Sequence, residues 1–442
     1  MKRIFLNPVN AMAIVLSLGL AATVTSCSTK GCTDPAATNY DPEADKEDDS
    51  CEYPVNEEVT KTGELSADET WTANNIYILD GRVVVPSGVT LTIEAGTIIK
   101  GAEGQETEAS ALIVARGGKI MAEGTADAPI IFTTVLDGIT YGETESKLSR
   151  TDNEKWGGVA ILGSAPISAE DGDTETNLEG IPAEAGYGKF GGSDASDNSG
   201  VLKYVSIRHG GISIGEGNEL NGLTLGGVGN GTTIENIEIY ATLDDGIEFF
   251  GGTVNASNLL VYYQGDDGLD VDMNYAGTIS NFAVIHGDGI GTDEGLEIDG
   301  PEGTANDGLF TIENGICMSE GSSDGSAADF KSKAQGTVRN VTFDYSSLGG
   351  KDVKIRASYN GDCTDKEDAF THLTGSPATL VFDACNMSGV KVYENNDPEA
   401  CTTQNDANDA AGEAAITMDG AGASINVATT FSWTNASAKG QL

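Results

Sequence analysis

The hexapeptide "IENIEI", Ile234–Ile239, decides the fold of this chain. It reads apolar, any, Asn, apolar, any, apolar. The pattern returns as "ISNFAV" (Ile279–Val284) and "VRNVTF" (Val338–Phe343), with looser copies at Ala256–Val261 and Ile312–Cys317. Short alternating stretches of this kind read as strands. Their asparagines, Asn236, Asn258, Asn281, Asn314 and Asn340, lie 22 to 33 residues apart, a period that predicts one coil of a solenoid per repeat. Coils stack about 4.8 Å apart. An amide at the same place in every coil can donate to the carbonyl of the next. The expectation is a buried asparagine row that satisfies its own hydrogen bonds.

A second unit, polar residue, Gly, apolar, any, apolar, alternates with the first. It reads "NGLTL" (Asn221–Leu225), "DGIEF" (Asp245–Phe249), "DGLDV" (Asp267–Val271) and "EGLEI" (Glu294–Ile298), with a degenerate "AADF" at Ala327–Phe330. The two units predict an all-β chain: a right-handed, single-stranded parallel β-helix with long loop insertions. The period varies because loops are inserted between strands, and strands rather than loops make the stack.

The asparagine ladder resembles that of right-handed parallel β-helices. "VVVPSGVTLTIEAGTIIKG", "ALIVARGGKIMAEGTADAPIIFTT" and "WGGVAILGSAPI" resemble opening coils of pectate-lyase-like β-helix lipoproteins of the Bacteroidota, a family with no agreed activity. The resemblance covers nearly all the chain after its first segments. It implies the fold and a surface location. Acidic, Gly-rich insertions are expected at Leu136–Lys155 and Ser168–Ser199, and later ones near Ser358–Ser376 and Asn395–Gly412. Phe431 and Trp433 near the C-terminus suit a plug for the open end of the solenoid, whose last coil would otherwise expose an edge.

Composition narrows the function classes. The 442 residues carry 24 Lys+Arg against 69 Asp+Glu, a formal charge of −45. That field excludes a nucleic-acid footprint and disfavours polyanions held over a broad surface. Lys2 and Arg3 followed by "AMAIVLSLGLAATV" and "VTSC" read as a signal peptide over residues 1–26. The "VTSC" stretch resembles a bacterial lipobox with Cys27 as the lipidated residue, which implies a membrane partner through a lipid anchor. Ser28 after Cys27 resembles the sorting pattern for the outer membrane. Residues 27–57 read as an acidic tether bracketed by Cys32 and Cys51, an expected disulfide in an exported chain. The tether is either calcium-compatible or simply a closed acidic linker. Residues 58–442 form the β-helix with its cap. Cys363 and Cys401 lie in loop insertions that a disulfide could staple, but the four cysteines Cys317, Cys363, Cys385 and Cys401 allow three connectivities and sequence does not choose.

Strand alternation assigns the acids. In "DGLDVDM", Leu269 and Val271 point inward, so Asp270 and Asp272 point outward. The same register stacks Thr224, Glu248, Asp270, Glu297, Asp329 and Lys354 in one outer column. It stacks Phe250, Asp272, Asp299, Lys331 and Arg356 in a second. The preceding turns add Asp244 and Asp245, Asp266 and Asp267, then Asp293 and Glu294. Like charges about 5 Å apart repel by roughly 0.8 kcal/mol even in water. Either a cation sits among them, or some carboxyls hold protons, or basic neighbours compensate. Ca²⁺, with six to eight oxygen ligands in flexible geometry, suits the set Asp245, Glu248, Asp266, Asp267, Asp270, Asp272, Asp293, Glu294, Glu297 and Asp299. The competing expectation is a solvated ladder neutralised by Lys331, Lys354 and Arg356.

These readings favour a lipid-anchored binding or structural protein serving adhesion, glycan capture or an envelope complex, with a polysaccharide or envelope protein as partner. The alternative is a β-helix polysaccharide lyase or glycoside hydrolase. "RHGGISIGEG" and "GDDG" resemble pieces of β-helix polygalacturonases, but in the opposite order. His209, beside Arg208 and near Lys203, and Asp267 are the residues that alternative would use. Phe250, Tyr262 and Tyr263 lie beside the acidic columns as candidates for stacking on sugar rings.

Overall fold

The computed structural model describes residues 28–35, 37–52, 57–105, 108–215, 218–288, 291–321, 325–345, 353–394 and 401–442. The chain divides into two units, Met1–Val55 and Asn56–Leu442. In the first, Cys32 and Cys51 form the expected disulfide. The Glu47 carboxylate accepts from the Thr33 N–H and hydroxyl at 2.9 and 2.8 Å. Cys27 and the signal segment lie outside the described residues. Among the described residues, no helix is long and apolar enough to cross a membrane.

The second unit is a parallel β-helix in which 26 of the described strands form one sheet, with two further two-stranded sheets beside it. Each central coil sends strands to three columns. The Gly-containing unit builds the first: Leu223–Gly226, Ile247–Phe250 and Leu269–Asp272 pair in parallel and in register. The asparagine-containing unit builds the other two. Lys203 stands against Glu235 and Val205 against Ile237, with one residue skipped between. That skipped residue is the asparagine. Asn236, Asn258, Asn281, Asn314 and Asn340 all sit in the left-handed region, with φ between 52° and 57°. They bend the chain from the second column to the third. Asparagine tolerates this conformation at low cost because its short side chain hydrogen-bonds locally.

This corrects the expected role of the asparagine row. Asn236 is buried, but Asn258, Asn281, Asn314 and Asn340 are half-buried. Asn314 donates to Asn281 Oδ1 at 2.6 Å, and its own Oδ1 accepts the backbone N–H of Ser424 at 2.8 Å. Backbone conformation, rather than a buried ladder, accounts for an asparagine in each coil.

Inward residues of all three columns make one continuous core that runs from Trp71 and Leu79 through Leu269, Val271 and Phe282 to Val392. Parallel strands stacked this way bury their inner face along the whole axis, so stability grows coil by coil. At the C-terminal end, helix α1 (Ala369–Thr374) contributes the buried Phe370 and Leu373. Helix α2 (Thr402–Ala415) lies against the last strand, Val390–Glu394. Asp409 Oδ1 accepts the Val392 N–H at 3.0 Å. The Cys363–Cys401 disulfide joins the loop before α1 to the start of α2. Cys317 and Cys385 remain free and buried. The described part of the insertion expected near Asn395–Gly412 is helical from Thr402.

The C-terminal segment does not plug the solenoid. It runs back along the side of the third column as a strap. Gly420 and Gly422 bond to Cys385 and Ala384 of the last coils, Ala423 to Thr342, and Ser424 to Asn314. Phe431 then packs among Tyr240, Tyr262 and Tyr263, and Trp433 meets the Tyr204 ring edge-on at 5.4 Å. The Asn435 and Ala436 N–H groups both donate to the Glu238 carboxylate at 2.9 Å. The outward face of the third column is apolar at Leu260, Ala283 and Ile285, and this face, not the open end, demands cover.

Candidate functional site

The outer columns stand in the expected register. Thr224 pairs with Glu248, Glu248 with Asp270, Asp270 with Glu297, Glu297 with Asp329, and Asp329 with Lys354. The expected basic neighbours reach only part of the column. Its C-terminal part is compensated by cations: Arg356 holds Asp329 bidentately at 2.5 to 3.0 Å. Lys331 Nζ lies 2.6 Å from Glu297 and 3.4 Å from Asp299, and Lys354 Nζ bonds Glu294. Among the described residues no ion pair reaches Asp245, Glu248 or Asp270.

The turn acids form a ladder of their own. Asp245 Oδ1 accepts the Asp267 N–H at 3.0 Å, and Asp267 Oδ1 accepts the Glu294 N–H at 2.5 Å. Glu294 Oε1 accepts from Ser326 Oγ at 2.9 Å. Asp267 thus bridges one coil to the next. Burial first, then the Asp245 charge, pushes its carboxyl up to about 11.

Three acidic triads are linked through shared members: Asp244–Asp245–Asp266, Asp245–Glu248–Asp270 and Asp270–Glu297–Asp299. Within each, the ligating atoms lie within 4.8 Å of one another. A calcium ion with oxygens at 2.3–2.6 Å spans about that separation between opposite ligands. Lys331 already meets the third triad. In the middle triad, Glu248 takes a hydrogen bond from Asn221 Nδ2, while Asp270 Oδ1 is buried with no hydrogen-bond partner. A buried carboxylate oxygen left this way is costly. Asp245, Glu248 and Asp270 are all held well above the usual carboxylate range, by burial first and then by the Asp244 charge at Asp245 and by the Asp245 charge at Glu248 and Asp270.

These outward acids are enclosed because the Ser168–Ser199 insertion folds over them. Its hairpin, Glu175–Asn177 with Lys189–Gly191, sets Phe190 against Phe250 at 5.7 Å. The Glu302 and Gly303 N–H groups bond to the Ser168 carbonyl. The result is a cavity of about 510 Å³ beside the column. Glu170, Glu179, Asp244, Asp245, Glu248, Asp272 and Glu302 line it together with Asn177, Asn221, Thr176 and Thr224, and none of its lining residues is basic. Phe250, Leu178, Leu220 and Met273 give one apolar patch. The Asp272 and Glu302 carboxyls hydrogen-bond each other; burial first and then the Asp299 and Glu302 charges hold Asp272 well above the usual carboxylate range, and burial and then the Glu170 charge raise Glu302. Asp293 is exposed, its N–H bonded to the Asp266 carbonyl and its side chain to Glu294.

Three sequence candidates are corrected. Tyr262 and Tyr263 are 0% and 2% exposed, packed under the strap with Arg150 over the Tyr263 ring, so they offer no face to a sugar. Phe250 alone of the aromatic set lines the cavity. His209 is also enclosed. Its Nδ1 donates to the Asp152 carbonyl at 2.6 Å and its Nε2 accepts from Ser146 Oγ at 2.9 Å. Burial pushes its pKa down to about 4. The ring and its Ser146 partner are 0% and 1% exposed, so neither solvent nor a polysaccharide reaches them in this conformation. Glu170, Glu179 and Glu302 were not singled out. Glu170 and Glu179 come from the acidic Ser168–Ser199 insertion, whereas Glu302 comes from the loop after Leu296–Ile298, which no sequence signal marked.

Residues 63–437 match the family model described as a pectate-lyase like beta helix domain, and the chain belongs to that family. No curated protein and no solved structure matches.

Proposed function

We propose that this member of the pectate-lyase-like β-helix family is a lipid-anchored surface protein of the outer membrane. In this reading it holds Ca²⁺ at Asp245, Glu248 and Asp270 and captures a glycan in the adjoining cavity. One observation carries the cation: Asp270 Oδ1 is buried without a partner beside two further carboxylates that no ion pair reaches. The cation would compensate charge the fold has gathered and left uncompensated, while Lys331 does the same work one coil on. The glycan part draws support from the cavity's hydroxyl, amide and carboxylate lining next to the Phe250 and Met273 patch, a mixture suited to a ring with polar edges and an apolar face. The anchor draws support from "VTSC". Calcium titration of the thermal midpoint, against a chelator, tests the cation. An unmoved midpoint would rule it out.

The hydrogen-bonded Asp272 and Glu302 carboxyls on the cavity wall favour a second reading, hydrolysis of a glycoside, in which Asp272 is the acid and a neighbouring carboxylate assists. Product release from a panel of neutral and acidic polysaccharides, lost in Glu302→Gln, distinguishes hydrolysis from capture.

A further inference from the structure

The cavity's charge selects its ligand more sharply than its shape does. Carboxylates enter it from three separate segments: Glu170 and Glu179 from the insertion, Asp244, Asp245 and Glu248 from the column and its turn, and Glu302 from the facing loop. Behind Asp245 and Glu248 lies Asp270, its Oδ1 buried and without a partner, with ligating atoms of the three within 4.8 Å. No lining residue is basic. An anionic sugar, uronate or phosphate, finds no basic side chain in the lining to receive it and faces carboxyl oxygens instead. A neutral sugar leaves desolvated carboxylates facing it without counter-charge.

We propose that the ligand is an amino sugar with free ammonium groups, an unacetylated hexosamine unit of a glycan. Its ammonium donates charge-assisted hydrogen bonds to the rim carboxylates, and its ring face lies on the Phe250 and Met273 patch. About 510 Å³ is within the range of small-ligand sites. The inference rests on the reading of this cavity as a glycan site and specifies the glycan.

The test is isothermal titration calorimetry of the full chain, with calcium present. The probes are the β-1,4-linked glucosamine tetramer, its fully N-acetylated counterpart and a galacturonate tetramer. The deacetylated tetramer should bind at least roughly tenfold tighter than the acetylated one, the worth of one charge-assisted hydrogen bond. The galacturonate tetramer should give no binding. Glu302→Gln and Glu170→Gln should each weaken the deacetylated tetramer while leaving the thermal midpoint in place. Equal affinity for the acetylated tetramer overturns the proposal and leaves the glycan-site reading standing. No binding of any tetramer, with the calcium shift intact, overturns both while sparing the cation. Affinity for the deacetylated tetramer that neither variant changes is adsorption to the acidic surface, and also overturns the proposal.

Discussion

Replacing Asp270 with Asn keeps the side chain's volume and removes the charge at the centre of the linked triads. If calcium binds Asp245, Glu248 and Asp270, saturation at a hundred times the dissociation constant stabilises the folded state by about 2.7 kcal/mol. The β-helix unit runs from Asn56 to Leu442, 387 residues. An unfolding entropy of about 2.1 cal/mol/K per residue then gives about 0.8 kcal/mol/K, so calcium should raise the wild-type midpoint by about 3 °C. In Asp270→Asn the rise should fall below about 1 °C. In chelator the order reverses, the variant melting at or above the wild type, because a buried carboxyl with an unpartnered oxygen has gone. The pH dependence has a fixed sign. Asp245, Glu248 and Asp270 have raised folded values, so their contribution to the calcium-free protein is full below about pH 4 and is lost as pH rises through those values. Calcium competes with the same protons, and its shift should be larger at pH 8 than at pH 5. Differential scanning calorimetry with calcium and with chelator measures all of this. An equal calcium shift in wild type and variant, or a shift that shrinks with rising pH, would refute the assignment.

The strap gives a second prediction. Glu238→Ala removes the acceptor of two backbone N–H groups and the Ser206 hydroxyl and leaves buried Arg208 alone; a cost of about 3–5 kcal/mol and early proteolytic cleavage within residues 419–442 should follow. At the corners, Asn281→Gly should cost little, whereas Asn281→Val should cost about 1–2 kcal/mol in denaturant titration, because φ is 56° there. Equal costs would restore the side-chain ladder as the reason for asparagine. Cys27→Ser should move the protein from the membrane to the soluble fraction on cell fractionation, and retention in the membrane would count against the lipid anchor.

The period of the asparagine unit and the alternation of "DGLDVDM" were enough to stack Thr224, Glu248, Asp270, Glu297 and Asp329 correctly, because a parallel ladder transmits register from coil to coil with little freedom. The same rule that placed Asp270 outward did not say it would be covered. That depends on the Ser168–Ser199 insertion and on Glu302, which reach the column from more than fifty and about thirty residues away along the chain and carry no periodic signal. Tyr262 and Tyr263 failed as sugar platforms for a related reason. Their outward direction was a local property, while the strap that buries them comes from the C-terminus. His209 lay beside a basic cluster in sequence, yet its two nitrogens were taken by Ser146 and Asp152 of another insertion.

By itself the sequence determined the β-helix, the register of its outer columns and the acidity of their face, since repeat period and alternation are local and each coil sees only its neighbours. Tertiary structure alone decided which acids meet a basic side chain, which are buried and which enclose a cavity. Those outcomes turn on where long insertions and the C-terminal strap fold back against the solenoid. That placement is a matter of burial and charge summed over segments distant in the chain, and no period encodes it.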